Sequence, residues 1–416
     1  MRSIFALVSA FLSIVPALGA PADVVSGTQL SGDKGTGRYI VKLKDGAVQS
    51  ESLAALSGVT SLNVSAAVTS DWDDDFFNGF AGNFNDETLN AMRSHLDVEY
   101  VEEDGVVSID DVETEAWADA DADAVYLTQT DAPWGLQRIS QNPRVRGFET
   151  SFDYRYSYNS GAGKGVNVYV IDTGINIANV DFGGRARLGA SFASTTNDGH
   201  GHGTHCAGTI GGTRWGVAKN ANLIGVKVLG DDGKGDNSVL VSGINWVASD
   251  LKKRVPRPPS VASISIGSDP SKAIDDAVTA LVNLGVHVVV SAGNKNVDAS
   301  GQSPARVPTV ITVGAADIND QKASFSNFGP GVDIFAPGVT IMSDWIGSTT
   351  ATNILSGTSM STPHVSGLIA TLITQTTNLT PASMAVKIKS LAIKGRMGGL
   401  PPALNTPNLL ARNDAP

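Results

Sequence analysis

Between residues 166 and 316 the chain carries five near-continuous apolar runs: VNVYVID (166–172), NLIGVKVLG (222–230), SVASISIG (260–267), HVVVSAG (287–293) and TVITVGAA (309–316). They are short, rich in Val and Ile, and show no polar alternation, which marks strands buried on both faces. Two stretches of helical period lie between them. SVLVSGINWVASDLKKR (238–254) ends in a basic last turn, and KAIDDAVTALVNLG (272–285) ends at Gly285; both are stop signals. Strands alternating with helices predict an α/β fold: a parallel β-sheet flanked by helices. Sites in such sheets sit at the carboxyl ends of the strands. A further helix is expected after Gly357, with Pro363 in its first turn, where backbone N–H groups lack helical partners.

The N-terminal third is patterned differently. RYIVKLK (38–44) reads as a strand, LNAMRSHL (89–96) as a helix, and VEYVEEDGVVSI (98–109) as two strands around a turn. Together they predict a small α+β domain of about 75 residues, close to the lower limit for folding alone. DWDDDFF (71–77) reads as an exposed acidic loop. WADADADAVYLTQTDAPWG (117–135) is small, acidic and without period, as an exposed linker open to proteolysis would be. Ahead of all this stand Arg2, an apolar run at 4–15 and the small residues Ala17-Leu18-Gly19. That is the pattern of a secretory signal cut after Gly19. The run is too short to span a bilayer, and no other is long enough, so no membrane association is expected. The expected destination is extracellular, with the vacuole as the alternative.

Charge sharpens the division. The chain of 416 residues has a net charge of −11. Residues 1–126 hold 6 basic and 22 acidic side chains; residues 127–416 hold 24 and 19. An acidic N-terminal piece on a mildly basic body implies two parts made for each other. Nothing resembles a nucleic-acid-binding patch. Cys206 is the single cysteine, so no disulfide can form within the chain, and it reads as a small buried apolar residue.

Half of the six histidines fall in GHGHGTHCAG (199–208). A zinc hydrolase wants two His four apart on a helix with a Glu as base; here the spacings are two and three, with no Glu nearby. Asp172 ends a buried strand, where a carboxylate is costly unless paired. Ser359 precedes a helix and so lies beside unpaired N–H groups and a positive dipole end. An Asp, a His and a Ser, each at a glycine-punctuated turn, are the parts of a nucleophilic triad. The residues alone leave a metal site as the lesser alternative.

VIDTG (171–174 with Val170), GHGTHCAGT (201–209) and GTSMSTPH (357–364) resemble the three signatures of subtilisin-like serine proteases, in the order Asp, His, Ser. APWGL, VKVLGDDGKG, SAGN and SFSNFGPGVDIFAPG are similar to the fungal proteinase K-like branch. The resemblance covers 127–416, and 38–110 resembles the inhibitor-type propeptide of such enzymes. It implies a signal peptide at 1–19, a propeptide at 20–126 with its linker at 111–126, and a catalytic domain at 127–416. It implies Ser359 as nucleophile, His202 as base, Asp172 as its orienting partner and Asn294 as oxyanion donor. Cys206 would lie under His202, His205 and His364 would be structural, and His200 a loop residue. A catalytically inactive binding protein on the same fold is the alternative.

Substrate backbone is expected to pair with two edges, Gly233-Lys234-Gly235 and Ser265-Ile266-Gly267. A pocket for a large apolar or aromatic side chain would lie between the second edge and Ala292-Gly293. Ser268-Asp269-Pro270 departs from the family pattern and implies a stiffer, more acidic rim, and Gln302 stands where proteinase K-like enzymes can carry a larger aromatic residue. The resemblance also implies one structural calcium ion on Asp333 and the carbonyls of Pro308 and Val310, oxygen ligands that suit a hard cation. Arg396 stands where a second calcium site needs an acid, so that site is expected to be missing. NVS and NLT make Asn63 and Asn378 glycosylation candidates. Protein and peptide substrates, the chain's own propeptide and a monomeric state complete the expected partners. Self-cleavage is expected after Tyr126, leaving Leu127 as the new N-terminus, with Ala124–Val125 as the second choice.

Overall fold

Every residue of strand Asn167–Asp172 is buried, and its side chains divide between two cores. Val168 and Val170 join one core with Val365, Leu368, Ile369 and Leu372 of helix Thr358–Gln375. Tyr169 and Ile171 join another with Leu240, Val241 and Ile244 of helix Asn237–Lys252 and Val278 of helix Lys272–Asn283. Both faces are therefore covered, which is why the strand shows no alternation in sequence. Each fully buried Val or Ile side chain contributes roughly 1.5–3 kcal/mol.

This computed structural model describes residues 23–25, 37–73, 76–109, 126–375 and 378–415. The expected signal segment, and the linker apart from Tyr126, lie outside the described residues. Across the main sheet the strands run Ala186–Ser191, Asn222–Lys227, Asn167–Asp172, Ser260–Ile264, His287–Ser291, Ile311–Ala316, Ile334–Pro337, Leu409–Leu410 and Ile393–Lys394. The first eight are parallel. The last pairs antiparallel with its neighbour, a short edge the hydrophobic pattern did not reveal. After Asn167–Asp172 the chain moves to one side of that strand, returns, and crosses to Ser260–Ile264 on the other. This reversal opens a crevice at the carboxyl ends of the central strands.

Residues 38–103 supply four strands of a second sheet, with Asp23–Val25 added in parallel beside Val98–Glu103. Strands Val98–Glu103, Arg38–Leu43, Gly79–Asn83 and Val68–Trp72 lie side by side, and Val41, Leu43, Leu56, Phe80, Met92 and Val101 make a core of their own. The opposite face of that sheet packs on the body: Ile40, Trp72, Phe77 and Ala81 enter the same core as Leu240 and Val278. The run 71–77 is thus only partly the exposed loop its acids suggest. Asp71 and Asp73 are exposed, but Trp72 donates from Nε1 to Ser242 Oγ at 3.0 Å and meets Phe77 edge to face. Strand alternation turns the aromatic inward between two outward acids.

Two acids of the small domain cap two helices of the body. Asp104 accepts from Ser238 N at 3.0 Å and Ser238 Oγ at 2.6 Å, at the start of helix Asn237–Lys252. Glu102 accepts from Ser271 Oγ at 2.5 Å and Ala273 N at 3.1 Å, at the start of Lys272–Asn283. Both carboxylates meet unpaired N–H groups at the positive ends of helix dipoles. Arg38 pairs with Asp236 beside them.

Candidate active site

Asp172 is the last residue of its strand and 1% exposed. His202 Nδ1 lies 2.8 Å from Asp172 Oδ1 and 3.0 Å from Oδ2. His202 is the first residue of helix His202–Gly211, whose N-cap Gly201 has φ +101°. A Cβ on Gly201 would stand 2.5 Å from the Trp345 ring, so both the backbone conformation and the space require glycine. Burial opposes charging of His202, yet the adjoining Asp172 carboxylate outweighs it, and the pKa is raised well above the usual 6.5. With Nδ1 engaged by Asp172, the remaining nitrogen Nε2 is buried without a hydrogen-bond partner.

Asp198, which the motifs did not single out, ties these elements together. Its Oδ1 accepts from Thr173 Oγ1 at 2.9 Å, Gly201 N at 2.8 Å and His200 N at 3.1 Å. Its Oδ2 accepts from Thr204 N at 3.0 Å and Thr204 Oγ1 at 2.6 Å. Thr173 Oγ1 in turn accepts from Gly203 N at 2.9 Å. The residues that follow Asp172 and His202 are thus joined through one hydroxyl and one carboxylate. An Asp just ahead of a helix start is a readable cap signal; its link to Thr173 is not readable.

Ser359 is the second residue of helix Thr358–Gln375. Pro363 is not in the first turn, as the sequence suggests, but in the helix interior. Proline lacks the N–H that would bond the carbonyl four residues back. That carbonyl belongs to Ser359, and Ser265 Oγ donates to it at 3.0 Å and the Cys206 thiol at 3.5 Å. The orphaned acceptor is satisfied from outside the helix. The Ser359 hydroxyl donates to Ser265 O at 3.0 Å; rotation about one side-chain torsion re-aims it.

Asn294 follows Gly293, which has φ +97°. Asn294 Oδ1 accepts from Thr358 N and Thr358 Oγ1, each at 2.8 Å. A backbone N–H can only donate, so this bond fixes the amide's orientation and turns Nδ2 toward Gly357, whose Cβ would stand 3.2 Å away. The Asn294 amide donors therefore lie on the Ser359 side.

The two edges read from the sequence flank one extended segment of the small domain. Strand Val106–Ser108 pairs antiparallel with Lys234–Asp236. Ser108 N donates to Gly267 O at 3.1 Å and Gly267 N to Ser108 O at 3.4 Å, while Ile109 N donates to Gly233 O at 3.3 Å. The two strands expected in 98–109 are both present, Val98–Glu103 and Val106–Ser108, and the second pairs with the body and not with the small domain's own sheet. Behind the second edge, Gln302 lies against Gly293, and Asn327 Nδ2 donates to Gln302 Oε1 at 2.9 Å and Ala292 O at 2.8 Å. At the rim Ser268 and Ser303 exchange backbone bonds at 2.9 and 3.1 Å, and Asp269 is exposed.

Two further histidines of these motifs lie against backbone carbonyls. His205 Nε2 contacts the carbonyls of Ile341 and Asn353 at 2.9 and 3.2 Å, and burial pushes its pKa down to about 3. His364 Nδ1 contacts Met360 O at 2.8 Å, and burial lowers it to about 4. Cys206 is 1% exposed, with Sγ 3.9 Å from His202 Nδ1. Asp172, His202 and Cys206 are the three metal-ligand types that converge here among the described residues. Burial raises the thiol pKa and so disfavours the thiolate a metal needs, while Nδ1 is already engaged.

Asp333 Oδ2 accepts from Thr312 N at 2.9 Å, which holds it against the loop carrying Pro308 and Val310. Its Oδ1 is paired with Lys389. Asn63 is exposed and caps a short helix through Ala66 N; Asn378 is exposed, with Oδ1 3.1 Å from His287 Nε2.

Residues 163–406 match the subtilase family (Peptidase_S8), and residues 38–110 match the peptidase inhibitor I9 family. The chain belongs to the subtilases and is a serine endopeptidase that carries an I9 propeptide domain. Its relatives are fungal proteases of the proteinase K-like branch. The cuticle-degrading protease of Metarhizium anisopliae is 42% identical across 98% of this chain and 99% of that protein. Proteinase R of Parengyodontium album is 40% identical across 91% and 89%. A crystal structure of a cold adapted subtilisin-like serine proteinase superposes with a TM-score of 0.62 at 40% identity, covering 69% of this chain and all of the other.

Proposed function

We propose that Ser359, His202 and Asp172 hydrolyse peptide bonds by acyl transfer. The observation that carries this reading is a buried histidine whose Nδ1 is held by Asp172 at 2.8 Å and whose Nε2 is left without a partner, in the crevice that also holds Ser359. Ser359 Oγ attacks the carbonyl carbon as His202 Nε2 takes its proton. His202 then delivers that proton to the leaving amine, and water releases the acyl group by the same steps. Asp172 keeps the imidazole in one tautomer and stabilises its charged form. Ser359 N–H and Asn294 Nδ2 receive the oxyanion. Substrate enters as an added strand between 233–235 and 265–267, so recognition rests largely on backbone and specificity is broad. The pocket between 265–267 and Ala292-Gly293 takes a large apolar or aromatic side chain.

The protein is made as a secreted, self-processing zymogen. The signal peptide is 1–19, the propeptide 20–126 and the mature monomer 127–416, with Asn63 and Asn378 as glycan sites. Leu127 is 8% exposed in strand Tyr126–Ala132, which pairs with Tyr154–Asn159; this supports a mature body that begins there. One calcium ion binds Asp333 with the carbonyls of Pro308 and Val310, all hard oxygen donors. It displaces Lys389, whose ammonium is half-exposed and free to swing into water. The ion is structural and takes no part in the reaction.

The experiment is expression of Ser359→Ala in a host lacking other proteases. The variant should accumulate as an unprocessed, inactive precursor, while wild type matures and is blocked by a serine-directed sulfonyl fluoride but not by a zinc chelator. Normal processing of Ser359→Ala refutes self-cleavage.

A further inference from the structure

We propose that Asp181 and Asp344 hold one proton between them, and that this proton latches the hairpin 341–355 to the far end of the helix that carries His202.

The two carboxylates meet over glycines. Strand Ile341–Asp344 pairs antiparallel with Thr352–Leu355, and its last residue, Asp344, is 1% exposed. A Cβ on Gly208 would stand 2.7 Å from Asp344 Oδ2, and one on Gly212 would stand 3.2 Å from the same atom. The Cβ on Gly212 would also collide with Asp181 Oδ2, which comes from the turn Val180–Phe182. Gly208 and Gly212 are four residues apart and so lie on one side of the helix. Their missing side chains leave the space that the two acids fill.

This is a poor place for two negative charges. Gly212 caps the carboxyl end of helix His202–Gly211, where the helix dipole is negative and favours cations. Asp181 has donors of its own: Arg214 N lies 2.8 Å from Oδ1 and Trp215 N 3.5 Å from Oδ2. Asp344 Oδ2 is buried with no hydrogen-bond partner, a costly state for a carboxylate. A proton on one acid supplies an O–H donor to the other and leaves a single negative charge on the pair. Two carboxylates that share a site do not both ionise readily. Burial, with the Asp181 charge beside it, holds the Asp344 pKa well above the usual carboxylate range, and burial raises that of Asp181 as well.

The charged groups around the pair do not replace the proton. Arg185 donates to the carbonyls of Gly211, Ala221 and Asp181. Lys219 Nζ donates to the carbonyls of Thr213 and Arg214 at 2.8 and 3.0 Å and lies over the Tyr156 and Tyr158 rings; burial lowers its pKa to about 7. Arg214 faces Asp131 at 3.6 Å. On the helix, His205 is bonded to the carbonyls of Ile341 and Asn353 and is kept neutral by burial. Strand Thr352–Leu355 carries no charged side chain. With Arg185 and Lys219 already at hand, the site takes a proton and not a metal ion.

The latch reaches the active site through Trp345, the residue after Asp344. Its ring lies against Gly201 and meets His205 edge to face. Gly201 is the N-cap of the helix that begins at His202. When the proton leaves, two charges face each other, and the hairpin is pushed off the helix with Trp345.

The test compares denaturant unfolding of the full-length Ser359→Ala chain, which lacks the nucleophile, with and without Asp344→Asn. The asparagine sets an N–H group where the proton sits and leaves the same single negative charge at every pH. Above about pH 3.9 the unfolded chain has lost a proton that the folded wild-type pair keeps. Wild type therefore loses stability as pH rises, and the variant escapes that loss. From pH 5 upward the unfolding constant without the asparagine, divided by that with it, should rise about tenfold per pH unit, and level off once the pair ionises. Asp181→Asn, which supplies the N–H from the other side, should behave in the same way. A ratio independent of pH overturns the shared proton. So does a ratio that calcium or sodium ions abolish at constant ionic strength, because a metal ion would then be filling the site. With Ser359 in place, kcat on a chromogenic peptide should fall at alkaline pH in wild type and persist in Asp344→Asn. Identical alkaline limbs in the two enzymes overturn the link to the active site.

Discussion

Asp198→Ala removes a carboxylate that accepts five hydrogen bonds from four residues: Thr173, His200, Gly201 and Thr204. Asp198 is 5% exposed, so most of these donors cannot turn to water. A buried donor left unpaired costs about 1–3 kcal/mol. If water reaches the His200 side and the Thr204 hydroxyl rotates away, at least two donors stay unpaired, for a loss of about 2–6 kcal/mol. The melting temperature should then fall by at least about 2 °C. The catalytic effect is separate. Without Asp198 the start of helix His202–Gly211 is no longer fixed to Thr173, and a displacement of about 1 Å at the base can cost roughly 100-fold. The substrate edges 233–235 and 265–267 make none of these bonds, so kcat should carry the loss and KM should hardly move. Asp198→Asn keeps the shape but sets an N–H group or an oxygen, not two oxygens, before the Thr173 and Thr204 donors, so it should recover part of the stability and little of kcat. The assay is steady-state hydrolysis of a chromogenic peptide over a range of concentrations, paired with thermal melts. A folded Asp198→Ala with wild-type kcat, or one whose entire loss lies in KM, refutes the reasoning.

Asn294→Ala should lower kcat roughly 100–1000-fold with little change in KM, the loss that follows removal of one oxyanion donor; wild-type turnover would exclude it from that role. Because Asp172 raises the His202 pKa and the base must be neutral, the acid limb of kcat should lie above pH 6.5, the usual histidine value, and activity should fall as pH drops through it; a limb below that value would contradict the pairing. Cys206→Ala should stay active and lose sensitivity to small mercurials, since an adduct beneath His202 tilts the ring; a folded but inactive Cys206→Ala would show that the thiol itself is needed. Calcium at 100 times its dissociation constant should stabilise the folded form by about 2.7 kcal/mol, read as resistance to thermal inactivation that a chelator abolishes. Asp333→Ala should start low and ignore the chelator, and Lys389→Met, which removes the competing ammonium, should need less calcium than wild type; no shift in calcium requirement would show that Lys389 does not guard the site.

Local sequence was enough for the strands 166–172, 222–230, 260–267, 287–293 and 309–316 and for both flanking helices, because burial on two faces and helical period are written into consecutive residues. It also pointed to Asp172, to Ser359 and to a histidine within 199–208, each at a turn whose glycines are visible; His202 as the particular base and Asn294 as an oxyanion donor came from the family resemblance, since an Asn after a Gly reads locally as a turn residue. What it could not supply were relations between distant segments. Nothing near Pro363 tells that the carbonyl it orphans is met by Ser265, ninety-four positions away. Nothing in VEEDGVVS tells that Glu102 and Asp104 end on two helices of the body, or that 106–109 leaves its own sheet for the enzyme's edges. Trp72 and Phe77 sit among acids that dominate the local pattern, and only the opposing helix makes them core. The physical reason is the same in each case. Hydrophobic period and turn chemistry act over a few residues, whereas an unpaired carbonyl, a helix N-terminus or an open strand edge is satisfied by whichever group the tertiary fold brings within 3 Å.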